Sequence, residues 1–249
     1  MNMKSVAAAA CGLVMLCGYV QAGEVKVLAS GAVKEAALEL FPQFEKSSGN
    51  TVAVTWAGTV AIKKKIAAGE VFDLVISSNA AISDLATQGK IVKGTPTILA
   101  KAGVGIGVRK GAAKPDVGTP DAFKRALIAA KSVGLSTGPS GIYLEKLFER
   151  LGVAEAVKAK TRLIPSGGTV STLLANGEAE IGFQQISEIA HADGVDYVGP
   201  LPAELQLISV FTAGVHTGAA HPGEAQALVK FLTAPAALAV MKKHGLEAP

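Results

Sequence analysis

Apolar positions recur along this chain in two alternating rhythms. Short runs, unbroken or apolar at every second residue, have the period of strands. Longer stretches, apolar at every third or fourth residue, have the period of helices facing a core. Residues 25–30 read as a first strand, and a helical pattern follows over 33–47, with Pro42 inside it as a possible kink. Gly49 and Asn50 make a turn into an alternating strand at 51–56. A helix over 59–68 stops at Gly69. Residues 72–77, apolar apart from Asp73 and Ser77, read as a parallel strand buried on both faces, and a helix over 80–88 follows.

A strand at 103–109 leaves this set. Its alternating Gly103, Gly105 and Gly107 lack the helix start that a dinucleotide fingerprint requires. After a loop at Lys114, Pro115 and Asp116 comes a second set. It reads as helix 120–130, strand 132–135, helix 141–151, strand 162–164, helix 170–175, strand 179–184 and a short helix at 186–191. A return strand at 205–212 and two closing helices, 222–232 and 236–244, complete the pattern. Strands alternating with helices predict an α/β fold. One strand leaving and one returning predict a discontinuous first lobe, 23–105 plus 210–249, around an inserted second lobe, 106–209.

The first residues change this picture. Lys4, an apolar run over 6–20 and then Val20, Gln21 and Ala22 have the order of a secretory signal, with cleavage expected after Ala22. The run is shorter than the roughly 20 apolar residues of a membrane-spanning helix. Both cysteines, Cys11 and Cys17, fall inside it. The mature chain of 227 residues is therefore expected to lack disulfides, thiol nucleophiles and Cys-bound zinc.

Its net charge of +3, with scattered basic residues, argues against nucleic-acid binding. Four histidines without metal spacing, and no H-E-x-x-H, calcium loop or Walker lysine, give no metal or cofactor expectation. Two mature tyrosines, Tyr143 and Tyr197, argue against iron held by paired phenolates. Gly138-Pro139-Ser140-Gly141 lacks the full nucleophile elbow and reads instead as a loop capping a helix.

What remains is a set of strand-to-helix junctions built from small and hydroxylated residues. They are 28–32, 56–59 and 76–79 in the first set, then 136–141 and 165–169 in the second. Each offers backbone N–H groups and hydroxyls at a helix start, where an anion is held without a charged side chain. In open α/β sheets such junctions lie at the strands' carboxyl ends, where ligands bind. Five of them, divided between two lobes, predict an anion cleft.

The motifs V-L-A-S-G-A (27–32), A-G-T (57–59), A-A-G-E-x-F-D-L-V-I-S-S (67–78), G-P-S-G-I-Y (138–143) and A-N-G-E-A-E-I-G-F (175–183) carry a resemblance. In their order and spacing the chain resembles the periplasmic molybdate-binding family of class II solute-binding proteins over essentially its whole mature length. The resemblance implies two α/β lobes, each a mixed sheet flanked by helices, closing on a ligand between them. It implies a monomeric periplasmic protein that passes a small anion to an ABC permease in the inner membrane. It places ligand contacts on Ser30, Gly31 and Thr59 in the first lobe. In the second it places them on Ser140, Gly141 and Tyr143 and on the loop 167–169, with Gly168 and Thr169.

The family's ligand-binding tyrosine corresponds to Gln185, and its following aspartate to Glu188. An amide both donates and accepts, whereas a bare oxyanion needs donors alone. If Gln185 faces the ligand rather than pointing away to the surface, the expected ligand is a small oxyanion or carboxylate-bearing anion other than simple molybdate. Aconitate isomerase is similar to this family, so a cofactor-free proton shift in an unsaturated tricarboxylate stays open as an alternative. Glu188 and His191 are its candidate bases. Lys34, Arg109 and Arg162 are the candidate cations, and no spacing selects among them.

Overall fold

The computed structural model describes residues 23–164 and 168–249. The expected signal at 1–22 and residues 165–167 of one junction loop lie outside the described residues. Strand β1 (Glu24–Ala29) buries Val25, Val27, Leu28 and Ala29 completely. A 3-10 turn at Gly31–Val33 leads into α1 (Lys34–Ser48), which packs Leu40, Phe41 and Phe44 on the sheet. Pro42 lies inside α1 on its exposed face. The helix ends at Gly49, whose φ of 75° is the left-handed cap that glycine adopts without a Cβ penalty. Then come β2 (Thr51–Trp56), α2 (Thr59–Ala67), β3 (Leu74–Ser78) and α3 (Asn79–Thr87).

The long β4 (Thr97–Arg109) follows, and after it α4 (Pro120–Ala129), β5 (Val133–Leu135), α5 (Pro139–Arg150), α6 (Ala154–Lys158) and β6 (Thr161–Leu163). The chain continues through α7 (Val170–Ala175), β7 (Ile181–Gln185), α8 (Ile186–Ile189) and β8 (Val195–Pro200). It closes with β9 (Ile208–Val215), α9 (Pro222–Leu232) and α10 (Pro235–Lys243). This is the mixed α/β fold that the alternating periods predict.

Strand order is β2-β1-β3-β9-β4-β7-β5-β6, with β8 also paired to β4. β1, β2 and β3 run parallel, and β9 lies antiparallel between β3 and β4. β4 serves two groups of strands. Thr97 to Gly103 pair with β9, and Val104 to Arg109 pair with β7 and β8. Around the first group, α1, α9 and α10 cover one face and α2 and α3 the other. Around the second, α4, α5 and α6 cover one face and α7 and α8 the other.

Three elements escape the sequence pattern: β8, α6 and the first half of β4. β8 is half-exposed along most of its length, so burial imposes no alternation on it. α6 has five residues, too few to show a helical period.

The alternating glycines of β4 have a packing role. A methyl on Gly105 would come within 2.8 Å of Ile189, and one on Gly107 within 2.8 Å of the same side chain. Their bare backbone lets α8 lie directly on the strand, which fixes the direction of the residues α8 carries.

Asp73 ties the first group of strands together. Its carboxylate is buried and accepts from the backbone N–H of Lys26 and of His221, both at 2.8 Å. Each bond joins β3 to a segment distant in sequence. Asp73→Ala leaves both amides without their partner, at about 1–3 kcal/mol for a buried donor. Stability is expected to fall by about 2–4 kcal/mol, with Asp73→Asn falling less, as read from urea unfolding midpoints at constant slope.

Candidate functional site

The strands of both groups deliver their carboxyl ends to one small cavity of about 100 Å³. From β1 come Ser30 and Gly31, followed by Lys34 and Glu35 at the start of α1; β2 supplies Trp56, Ala57 and Gly58. The other group supplies residues 136–140 after β5, Ile164 after β6, and Gly168 and Thr169 before α7. Gln184 of β7 and Glu188 of α8 complete its wall.

Each junction is set by its own hydrogen bonds. Ser30 is buried, its amide donates to the Ile76 carbonyl at 2.8 Å, and its hydroxyl accepts from Ala32 N–H at 3.3 Å. Ser136 Oγ accepts from the amides of Gly138 and Gly141, each at 3.3 Å, and lies 2.9 Å from Ser140 Oγ. A methyl on Gly141 would fall 1.7 Å from the Ser136 carbonyl oxygen, so only glycine permits this fold-back. Ser140 is at the second position of α5, where a backbone N–H has no intrahelical acceptor. Thr169 caps α7 by accepting from Thr172 N–H at 3.3 Å.

The two sides touch across the cavity. A methyl on Gly58 would lie 2.7 Å from Thr137 Oγ1, and one on Gly31 would lie 2.6 Å from Glu188 Oε1. Ser187 Oγ donates to the Ala32 carbonyl at 2.8 Å in a buried bond. Glycines on one side thus admit polar groups from the other.

Gln184 and Glu188 form an ordered pair. Gln184 Oε1 accepts from Val170 N–H at 2.8 Å, which turns its Nε2 toward Glu188 Oε1, to which it donates at 2.7 Å. Burial pushes the Glu188 carboxyl up to about 7. The Gln184 bond, the Gln185 backbone and the Lys34 charge oppose that shift, and Glu35 adds to it.

Of the residues selected from sequence, Ser30, Gly31, Ser140, Gly168 and Thr169 line this cavity, and Gly141 shapes it from behind. Thr59 and Tyr143 instead line a separate, more open cavity of about 570 Å³. There the Thr59 hydroxyl is buried without a partner among the described residues, and Tyr143 Oη donates to the Leu205 carbonyl at 2.8 Å.

Gln185 lies elsewhere. Its amide nitrogen donates to the carbonyls of Ala102 and Gly103, both at 3.1 Å, and its oxygen accepts from Ser209 Oγ at 3.0 Å. The reverse orientation would set oxygen against two carbonyl oxygens. Successive residues of a strand face opposite sides, so the one-residue step from Gln184 to Gln185 decides which enters the cavity. Burial on both faces of β7 hides that choice in the sequence.

Among the candidate cations, Lys34 lines the cavity, while Arg109 and Arg162 do not. His191 lines an adjoining cavity that shares Lys34, Glu35, Thr169 and Glu188 with the first. Trp56, Ser136, Thr137 and Gln184 were not singled out as contacts. Those at positions 56, 136 and 137 sit in the junction loops that the sequence does reveal.

The family of bacterial extracellular solute-binding proteins matches residues 25–247. An aconitate isomerase from Pseudomonas sp. is 33% identical over 227 residues, covering 89% of this chain and 86% of that protein. The molybdate-binding protein ModA of Azotobacter vinelandii is 27% identical over 243 residues, covering 95% and 94%. The solved periplasmic molybdate-binding protein of Azotobacter vinelandii superposes with a TM-score of 0.77 at 20% identity, over 90% of this chain and 99% of that one. Fold, junction motifs and matched length agree: the chain belongs to the bacterial extracellular solute-binding protein family, of the molybdate-binding-like type.

Proposed function

We propose that this protein is exported to the periplasm, captures a small carboxylate-bearing anion and delivers it to an ABC importer. In this reading 23–105 with 210–249 forms one lobe and 106–209 the other, and the ligand lies between them. The contacts are Ser30, Gly31, Ser140, Gly168 and Thr169, with Lys34 as the counter-charge. One observation carries the choice of ligand: the Glu188 carboxyl, fixed by Gln184, stands in the cavity onto which the junction loops turn their helix-start amides and hydroxyls. Ionised, that carboxyl repels any anion and can accept only from a hydroxyl; neutral, it is one more donor, so a ligand with carboxylates and a hydroxyl suits either state and a bare tetrahedral oxyanion only the neutral one. A carboxylic or hydroxy acid can meet both donors and an acceptor.

A second reading is favoured by the same residue and by the relative named an aconitate isomerase. A carboxyl poised near neutrality suits a general base. In this reading Glu188 takes a proton from a ligand carbon, the double bond shifts, and a proton is returned at the other end of the allylic unit. The donors and Lys34 hold the negative charge that develops on the adjoining carboxylate. His191 lines the adjoining cavity and not this one.

Calorimetric titration with molybdate, tungstate, sulfate, citrate and both aconitate isomers separates these ligands. A di- or tricarboxylate is expected to bind most tightly; tighter binding of any bare oxyanion would refute the ligand assignment. Incubation with cis-aconitate, followed by proton NMR, tests catalysis, and an unchanged spectrum removes the isomerase reading for that substrate. Hydrogen bonds to charged groups contribute roughly 1.5–3 kcal/mol. Lys34→Gln is therefore expected to weaken the bound anion tenfold or more, with the unfolding midpoint nearly unchanged.

A further inference from the structure

Glu188 is the one acidic group whose carboxyl is wedged between the two sides of the cleft among the described residues lining the inner cavity with a hydrogen bond fixing it. Oε1 accepts from Gln184 and lies against Gly31 with no space for a Cβ between them. Gln184 cannot reverse its amide without losing the Val170 N–H, so it is a fixed donor to Oε1. When the carboxyl is protonated, its hydrogen is therefore on Oε2. Glu188 also lines the adjoining cavity of about 570 Å³ and so borders two cavities.

The charged and titratable side chains lining these two cavities with Glu188 are Lys34 and Glu35 of α1, His191 and Asp193 beyond α8, and His244 beyond α10. Lys34 favours the ionised form and Glu35 opposes it. An entering anion adds negative charge beside the carboxyl and excludes water from it. Both effects favour the neutral acid.

We propose that Glu188 meets the ligand as a neutral carboxylic acid, donating from Oε2, so that each anion bound takes up a proton at this residue. This rests on the carboxylate-binding reading above and deepens it. Proton and anion then enter and leave together, and affinity declines as pH rises. Glu188 occupies the third position of α8, where a glutamate often serves only to cap the helix. A cap of that kind has no coupling to ligand.

The test compares wild type with Glu188→Gln, which keeps the shape and remains neutral. Without ligand, the carboxyl titrates near 7 in the folded chain against 4.5 ordinarily. The folded chain therefore loses stability as pH rises from about 4.5, where the unfolded carboxyl ionises, and the loss is complete once pH passes about 7. The melting temperature of wild type should therefore fall relative to Glu188→Gln between pH 5 and 8. Parallel curves would overturn the proposal.

With ligand, cis-aconitate, citrate and molybdate are titrated at pH 7.5 in phosphate and in Tris, whose ionisation enthalpies differ. Wild type should take up about three-quarters of a proton more than Glu188→Gln, the fraction ionised at that pH. The difference between the chains removes the ligand's own protonation. Above pH 7 wild-type affinity should fall roughly tenfold per pH unit relative to the variant. Binding with equal proton uptake by both chains defeats the proposal alone. Absence of binding by all three anions defeats it together with the reading on which it rests.

Discussion

At Ala102, Gly103 and Val104 a single strand leaves one group of strands for the other, and side-chain amides hold its backbone there. Gln185 donates to the Ala102 and Gly103 carbonyls. Gln206 accepts from Val104 N–H at 2.8 Å and donates to its carbonyl at 3.1 Å. A strand that changes partners leaves polar backbone groups without a regular ladder, and buried groups of that kind are costly unless paired. Two glutamines from neighbouring segments supply those partners. Everything at the cavity depends on this passage, because it sets the carboxyl ends of β1 and β2 opposite those of β5, β6 and β7.

With that geometry fixed, the cavity wall is largely backbone. Short side chains at 30, 58, 138 and 168 bring the opposed loops close, and the glycines at 31 and 58 admit Glu188 and Thr137 from across the cleft. A larger residue at either glycine would hold the two sides apart. Close approach removes water, which strengthens each amide and hydroxyl acting on an anion and raises the cost of an ionised carboxylate in the same space. The donors and Glu188 thus respond to one cause in opposite directions.

The fold was largely legible, since most strands and helices are long enough and buried enough to show their period. The junction loops were legible too, because serine, threonine and glycine at helix starts have a local mechanism. Gln184 was not. β7 is buried on both faces, so no polar–apolar alternation marks which residue faces α7 and α8. The substitution at Gln185 pointed to an altered ligand site, yet the side chain with access to the cavity is its neighbour. Thr59 and Tyr143 were likewise selected by motif position, but the directions of α2 and α5 carry them into another cavity. Motif spacing finds the loop, and only packing decides where each side chain of the loop points.

That distinction changes the grounds for doubting a simple oxyanion. The expectation from sequence rested on an amide at 185 facing the ligand, and that amide is consumed by the passage of β4. The argument now rests on a carboxyl three residues later, at the position of the family's aspartate. An amide acceptor would weaken an oxyanion site modestly. An ionised carboxylate held by Gln184 would oppose an oxyanion through Coulomb repulsion in a space with little water to screen it. If Glu188 is neutral when the anion is present, as proposed above, the same group becomes a donor. Selection among anions then turns on which of them has an acceptor where that donor stands.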